Sequence, residues 1–285
     1  MRLFVSDLDG TLLDKRFCIS KENLLALNYI KTKGVEIAIA SGRIYKDVLK
    51  ICKKHDLEPY IISNNGACVY DKNGEVLKCT WLLDKQIESV LKFLTENNIC
   101  YQVSTSSNLY TQKNWQEILE EDFKKMNKEN KIIDVQELEK TKSAALSQVG
   151  LVEIDSYKDI INKKINCYSI SIVLFSKESY KKINNFISEF DGINITFSGK
   201  YTLEIISKFS SKGDSLEFLA QFMNISIKEV VAIGDSLNDE TMIKSAGIGI
   251  AVENADDYIK SISDYVSKAC ESNGVAHAIY KYLNK

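Results

Sequence analysis

Proline and arginine are scarce in this chain of 285 residues. It has one proline, Pro59, and its 37 basic residues include only three arginines, Arg2, Arg16 and Arg43. The basic side chains are balanced by 39 acidic ones, which gives a formal net charge of −2. The chain therefore lacks the broad positive field of a nucleic-acid-binding protein, and we expect no nucleic-acid partner.

The ligand sets of zinc and iron–sulfur sites are also missing. None of the seven cysteines has CxxC spacing, and there are only two histidines. We interpret the cysteines as reduced, mostly buried thiols of a cytosolic protein. The N-terminus reaches Asp7 after few apolar residues, and no apolar run approaches a membrane span. The sequence predicts a cytoplasmic protein without a signal peptide or a membrane partner.

Short apolar runs alternate with helical spacing at both ends of the chain. Strands are predicted over residues 3–6, 35–40, 60–63, 230–234 and 247–252. Helices are predicted over residues 20–33, 45–55, 212–223 and 241–245. This alternation is typical of βαβ units, so we predict an α/β fold with a doubly wound, Rossmann-like parallel sheet as its core.

Between these two pieces the pattern changes to that of an α+β segment. Helices are predicted over residues 84–97 and 177–190. Strands are predicted over residues 100–105, 109–111, 146–152 and 169–175, and a hairpin joins 193–198 to 201–206. We place an α/β core domain at residues 1–81 and 208–285 and an inserted α+β domain at residues 82–207.

Polar side chains directly follow several of the predicted strands. Asp7 and Asp9 follow the first strand, Ser41 the second, and Asp235 the first strand after the insertion. Because parallel strands end at one edge of a sheet, these residues are expected to converge. Two close carboxylates in a dry pocket need a cation; one can then be a metal-bound nucleophile and the other an acid or base. Asp235 supplies the hard oxygen ligand that Mg²⁺ prefers.

Two helix starts add further polar groups. Ser41 and Gly42 begin a helix after a strand, where a hydroxyl and backbone N–H groups can cradle a phosphate. Lys212 also begins a helix, against the helix dipole, and the charge of Asp7 and of a phosphoryl group explains that position. Asp239 lies one helical turn after Asp235. It is either a hydrogen-bond acceptor that supports the metal ligands or a helix cap.

These motifs, in this order, resemble the haloacid-dehalogenase superfamily, in particular its Cof-type sugar-phosphatase branch with a large inserted cap. DLDGT at residues 7–11, SGR at 41–43, Lys212 and GDSLND at 234–239 look like its four signatures. The resemblance implies that the inserted α+β domain is a cap that determines substrate specificity.

The resemblance also implies the reaction: Mg²⁺-dependent hydrolysis of small phosphomonoesters, either sugar phosphates or phosphorylated cofactors, through an aspartyl-phosphate. Asp7 would be the nucleophile, Asp9 the acid and then the base, and Lys212 the catalytic cation. The implied metal-binding groups are Asp7, the backbone carbonyl of Asp9, and Asp235, with Asp239 steadying the metal shell. The implied phosphate-binding residues are Ser41, Gly42, Lys212 and Asn238. Substrate-facing positions are expected at Thr11, Arg43 and Asn65.

Two other functions compete with this interpretation. A phosphomutase or bisphosphate-specific enzyme needs a second phosphate site in the insertion, but residues 82–207 contain no arginine. Lysine could replace arginine there as a point charge. A non-enzymatic phospho-aspartate regulatory module would need neither a large cap nor Asp9 and Lys212. Both alternatives predict no sustained phosphate release from a monophosphate, and the sequence assigns no oligomeric state.

Overall fold

The computed structural model describes residues 1–128, 135–147, 149–199 and 201–283. The chain divides into two compact units: a core unit of Met1–Cys79 and Phe209–Lys285, and an inserted unit of Thr80–Lys208. Each unit buries a hydrophobic cluster of its own. Within the described ranges, none of the helices is both long and apolar enough to span a bilayer.

Strands and helices are numbered in chain order. The strands are β1 Leu3–Asp7, β2 Glu36–Ala40, β3 Tyr60–Ser63, β4 Cys68–Tyr70, β5 Val76–Cys79, β6 Tyr101–Ser104, β7 Leu109–Gln112, β8 Leu151–Ile154, β9 Ser169–Val173, β10 Ile193–Gly199, β11 Thr202–Ser207, β12 Val230–Gly234, β13 Ile248–Ala251 and β14 Tyr265–Val266. The helices are α1 Lys21–Thr32, α2 Tyr45–Lys53, α3 Asp84–Glu96, α4 Trp115–Lys128, α5 Val135–Ser147, α6 Lys158–Asn162, α7 Lys177–Ile187, α8 Lys212–Phe222, α9 Glu240–Ser245, α10 Asp257–Ile262 and α11 Gly274–Leu283.

The core unit contains one sheet in the order β14-β13-β12-β1-β2-β3-β4-β5. The strands from β14 to β3 are parallel, whereas β4 and β5 are antiparallel to their neighbours. Every residue of β1 is buried, as expected for a strand that is covered on both faces. The predicted α/β class with a parallel core sheet is confirmed.

Local signals in the sequence place several boundaries in the core unit. Strands β3 and β12 begin and end where the apolar runs predict. Helix α1 begins after Ser20, whose hydroxyl accepts a hydrogen bond from the Asn23 N–H at 3.1 Å. The chain leaves this helix through Gly34, which has a φ of +76°.

The antiparallel hairpin of β4 and β5 was not predicted. Its strands place Cys68 opposite Cys79, and a disulfide joins the two residues. The prediction that all the cysteines are reduced is therefore wrong for this pair. Cysteines 18, 52, 100, 167 and 270 are free thiols, of which only Cys18 is exposed.

The inserted unit contains a second sheet in the order β10-β11-β9-β6-β7-β8. Neighbouring strands are antiparallel except for the parallel pair β7 and β8. Helix α3 buries one apolar face, formed by Ile87, Val90, Leu91 and Leu94. The predicted α+β character and the hairpin of β10 and β11 are confirmed. Lys200, in the predicted turn of that hairpin, lies outside the described residues.

The prediction of a strand over residues 146–152 is wrong. Helix α5 continues to Ser147, and β8 begins only at Leu151, after Gly150 at a φ of +83°. Helices α4 and α5 were missed, although α4 buries residues with helical spacing: Trp115, Ile118, Leu119 and Phe123.

Candidate active site

Strand ends bring the predicted site residues to one edge of the core sheet. Ser6 pairs with Ile233 and Asp7 with Ala40, so the ends of β1, β2 and β12 are in register. Asp7 ends β1, Ser41 follows β2, and Asp235 follows β12. Because all three strands are parallel, their carboxyl ends form one crevice edge of the kind that binds ligands.

Three carboxylates cluster at this edge. Asp7, Asp235 and Asp239 each offer one oxygen, and these oxygens all lie within 4.8 Å of one another. The ammonium group of Lys212 donates to Asp7 Oδ1 at 2.7 Å and to Asp239 Oδ1 at 2.6 Å. Lys212 is fully buried with them. If all three carboxylates are ionised, the cluster carries two more negative than positive charges, which a divalent cation would balance.

The three carboxylates differ in what remains for a metal ion. Asp239 uses Oδ1 for Lys212, and its Oδ2 accepts from the N–H groups of Asp235 and Ser236 at 2.9 and 3.0 Å. Asp7 Oδ2 is buried and has no hydrogen-bond partner among the described residues. Each Asp235 oxygen accepts from a neutral hydroxyl group, Oδ1 from Thr11 and Oδ2 from Ser236. The donor set therefore fits a hard cation held by Asp7 and Asp235, with Asp239 orienting the loop and the ammonium group.

The electrostatics of the cluster also favour a cation. Burial and the neighbouring carboxylate of Asp239 raise the pKa of Asp7 well above its ordinary value, against the opposing effect of Lys212. Burial, followed by Asp239, raises the pKa of Asp235 to about 6. Burial lowers the pKa of Lys212, but the two carboxylates outweigh it and raise the pKa above its usual value. The cluster thus holds protons more tightly than isolated carboxylates do, and a bound metal ion would displace them.

Asp9 has quite different surroundings, although it lies only two residues after Asp7. Its side chain is 41% exposed and accepts two hydrogen bonds from Arg43, from Nε at 2.7 Å and from Nη2 at 2.8 Å. The third nitrogen of that guanidinium group, Nη1, donates to Asp47. Arg43 was expected to face the substrate, but all three of its guanidinium nitrogens donate hydrogen bonds to these two carboxylates. Sequence reasoning missed Asp47, for which the i, i+4 spacing from Arg43 was the available signal.

The predicted phosphate-binding residues are tied to one another. Ser41 is buried; its hydroxyl accepts from the Arg43 N–H at 3.2 Å, and its carbonyl accepts from the Asn65 N–H at 3.0 Å. Asn238 Nδ2 donates to Asn65 Oδ1 at 2.9 Å. Asn238 Oδ1 and Asn65 Nδ2 are buried without a partner among the described residues. Gly42 is half-buried between Ser41 and Arg43.

Thr11 supports the loop that carries Asp235. It is fully buried, and its hydroxyl donates to Asp235 Oδ1 at 2.8 Å. The contact lowers the pKa of Asp235, in opposition to burial. The hydroxyl predicted to face the substrate is thus engaged by a carboxylate of the cluster.

Gly10 allows the close approach of the two loops, and its replacement provides a test. A Cβ atom on Gly10 would lie 2.6 Å from Asp235 Oδ2, and its φ is +82°. Gly34 has a similar φ of +76° but no atom within 4 Å of its Cβ position. Each alanine substitution should cost about 1–2 kcal/mol of unfolding free energy for the left-handed backbone.

Only Gly10→Ala should also displace Asp235. For the phosphate-ester hydrolysis that the sequence motifs imply, we expect it to lower kcat/KM by about tenfold or more, because small displacements at a reacting centre are costly. Gly34→Ala is the matched control and should retain wild-type turnover. Steady-state kinetics and urea unfolding of both variants measure these effects. Equal activity of the two variants would show that the contact with Asp235 does not matter for the site.

Comparison with known proteins agrees with this geometry. The family model of haloacid dehalogenase-like hydrolases matches residues 4–279. The chain is 33% identical over 285 residues to phosphatase YwpJ of Bacillus subtilis, with 99% of this chain and 100% of that protein covered. It is 29% identical to the 5-amino-6-(5-phospho-D-ribitylamino)uracil phosphatase YwtE of the same organism. That alignment covers 100% of this chain and 99% of YwtE.

A solved structure gives the same result for the fold. A haloacid dehalogenase-like hydrolase from B. subtilis superposes with a TM-score of 0.88 at 32% identity, over 99% of this chain and 100% of that chain. The family expected from the four sequence motifs is therefore confirmed. The chain is similar to phosphatases over its full length and matches the family model. It is therefore a phosphatase that belongs to the haloacid dehalogenase-like hydrolases.

Proposed function

We propose that the chain is a Mg²⁺-dependent phosphomonoester hydrolase that works through an aspartyl-phosphate on Asp7. The observation that carries this proposal is that the two oxygens of the Asp7 carboxylate have different surroundings. Oδ1 of Asp7 accepts from Lys212, and Oδ2 is buried with no hydrogen-bond partner in the described part of the chain. A carboxylate in this state is positioned but not neutralised, as a nucleophile requires.

The metal ligands in this proposal are Asp7, the backbone carbonyl of Asp9, and Asp235. Asp239 orients the loop that carries Asp235, since it accepts the Asp235 N–H. Bound Mg²⁺ supplies the positive charge that keeps the carboxylates ionised and lowers their repulsion of the phosphate. The excess negative charge of the cluster and the raised pKa values of Asp7 and Asp235 support this assignment.

The two chemical steps then need only residues at this edge. In the first step an oxygen of Asp7 forms a bond to phosphorus, the ester P–O bond breaks, and Asp9 gives a proton to the leaving alcohol. In the second step water attacks phosphorus, Asp9 takes its proton, and the Asp7–phosphorus bond breaks to release phosphate. Both Asp9 oxygens accept from Arg43 in the structure, so the carboxyl group gives up at least one of these hydrogen bonds when it carries the proton. Its half-exposed position, away from the buried cluster, supports its role toward an alcohol and a water molecule.

The phosphoryl oxygens are proposed to contact Lys212, Ser41, Gly42 and Asn238. Lys212 is the buried cation beside the nucleophile, and the link from Asn238 to Asn65 keeps both amides at the same edge. Nδ2 of Asn65 is buried and has no partner within the described ranges, which supports a substrate-facing role for that residue. The contacts of Thr11 and Arg43 favour a different role for these two side chains: they hold Asp235 and Asp9 in place.

The proposed substrates are small phosphorylated metabolites, either sugar phosphates or phosphorylated cofactors. The relative whose name includes 5-amino-6-(5-phospho-D-ribitylamino)uracil shows that a protein similar over its full length acts on such a small phosphate ester. A phosphate-release screen over a panel of metabolites tests the reaction and narrows the substrate. Sustained release from a monophosphate would support a hydrolase; release from none of the panel would contradict it.

Removal of divalent metal should abolish this hydrolysis. We expect no measurable phosphate release after treatment with EDTA and dialysis, and recovery when Mg²⁺ is added. Without the ion a carboxyl group of the cluster either keeps its proton and is no nucleophile, or is ionised and repels the phosphate. Circular dichroism before and after treatment establishes that the fold persists. Full activity of the metal-free protein would remove Asp235 from the proposed role.

A further inference from the structure

Phe17 is an exposed aromatic residue in a tight turn of the core unit. It is 48% exposed, although a phenylalanine gains most by being buried. Its φ of 57° lies in the left-handed region, which is unfavourable for a residue with a Cβ atom. Backbone preference therefore does not explain a phenylalanine here, and nearly half of the side chain is open to solvent.

Hydrogen bonds to Asp14 fix the turn that carries this ring. Asp14 Oδ1 accepts from the N–H groups of Arg16 and Cys18, each at 2.9 Å. The Asp14 N–H donates to the Cys18 carbonyl, and the Phe17 N–H donates to the Asp14 carbonyl, both at 2.9 Å. The turn is closed on itself, so the Phe17 backbone is held in one place by its own loop.

The ring lies next to the machinery that positions Asp9. Its centroid is 5.6 Å from Cζ of Arg43, within the range of a cation–π contact. The same guanidinium group donates two hydrogen bonds to Asp9. Arg43 therefore contacts both Phe17 and Asp9. A leaving group at the Asp9 carboxylate would lie near the exposed Phe17 ring, with the Arg43 guanidinium group between them.

We propose that Phe17 is a specificity-determining residue that stacks on a planar heteroaromatic ring of the leaving group. The inference rests on the proposed function, in which Asp9 protonates the leaving oxygen. A phenyl ring offers no hydrogen bond to sugar hydroxyls, and a sugar ring would present only its C–H groups to the phenyl face. It does offer an offset-stacked or edge contact to another ring. The preferred substrates are therefore phosphate esters of alcohols that carry such a ring, rather than plain sugar phosphates.

Two substrates with the same phosphate and different leaving groups test this inference: pyridoxal 5′-phosphate and glucose 6-phosphate. The wild-type enzyme should prefer the first. Phe17→Ala should lower kcat/KM for pyridoxal 5′-phosphate about three- to tenfold, mainly through KM, because one aromatic contact is lost. For glucose 6-phosphate the change should stay within about twofold. Phe17→Leu keeps apolar bulk without the ring and should show an intermediate loss.

Phe222→Ala is the matched control, since Phe222 is 52% exposed and lies at the far end of α8 from Lys212. It should leave both substrates unaffected. An equal fall for the two substrates in Phe17→Ala, no fall for either, or a wild-type preference for glucose 6-phosphate would each overturn the inference alone. Absence of phosphate release from every ester of the panel would overturn the proposed function and the inference together. Thermal unfolding identifies any unfolded variant, and Phe17→Leu then decides the comparison.

Discussion

Asp7→Asn is expected to lower kcat by at least about 10³–10⁴-fold, because asparagine keeps the shape of the side chain but is not a nucleophile. Lys212 retains its second partner, Asp239, so the cation is not stranded. The substitution also removes a carboxylate whose pKa is raised by burial and by two neighbouring carboxylates, Asp239 and Asp235. We therefore expect the metal-free variant to be at least as stable as the wild-type protein. Single-turnover phosphate release and urea unfolding measure the two effects.

Asp56→Asn is a suitable control for this substitution. Asp56 is exposed and has a φ of 52°, a backbone conformation that asparagine also adopts readily. The control should therefore keep both the activity and the stability of the wild-type enzyme. Residual turnover of more than about one part in a hundred in Asp7→Asn would contradict a covalent role for this carboxylate.

Lys212→Met is expected to have the largest effect on stability. The ammonium group is completely buried between Asp7 and Asp239, and its removal leaves those carboxylates without a cation. Breaking a buried pair in this way costs about 3–5 kcal/mol, whereas methionine keeps most of the packing of the alkyl chain. Turnover should fall at least about 10²-fold, because the nucleophile loses its positioning partner and the phosphate loses a cation. Urea unfolding of the metal-free protein and steady-state kinetics test both statements.

The surface pair of Lys244 and Glu240 provides the comparison. Lys244 has a half-exposed side chain and contacts Glu240 one helical turn away. Lys244→Met should cost no more than about 0.5 kcal/mol and leave activity unchanged, because exposed pairs of this spacing contribute little. The double variant Lys212→Met with Asp239→Asn should regain part of the lost stability, since one stranded charge is gone. Equal stability of Lys212→Met and Lys244→Met would contradict the account of the buried cluster.

The central part of the fold was predictable because its signals are local. Strands β3 and β12 are bounded by changes from apolar to polar residues, and Ser20 and Gly34 mark the two ends of α1. Parallel pairing then determines which strand ends meet, without any knowledge of individual side-chain contacts. For this reason the proximity of Asp7 and Asp235 followed from the order of the elements alone.

The features that were missed depend on packing between segments. The pairing of Cys68 with Cys79 follows from an antiparallel hairpin whose short strands carry little periodic signal. Leu146 belongs to helix α5, and β8 begins at Leu151, directly after Gly150 with its positive φ. Arg43 was expected to face the substrate because its i, i+4 spacing from Asp47 was overlooked, and no local pattern predicts that Asp9 accepts its other hydrogen bonds.

The place of β1 between β2 and β12 has a consequence for biosynthesis. Leu3 pairs with Val230, so the strand that carries Asp7 lacks one neighbour until most of the polypeptide has been translated. The inserted unit is one contiguous stretch with its own cluster of buried residues and can acquire structure earlier. Translation that terminates within it would leave an apolar strand edge unpaired, which favours aggregation rather than partial activity. The edge of the core sheet that carries Asp7 and Asp235 can therefore form only after β12 has been translated.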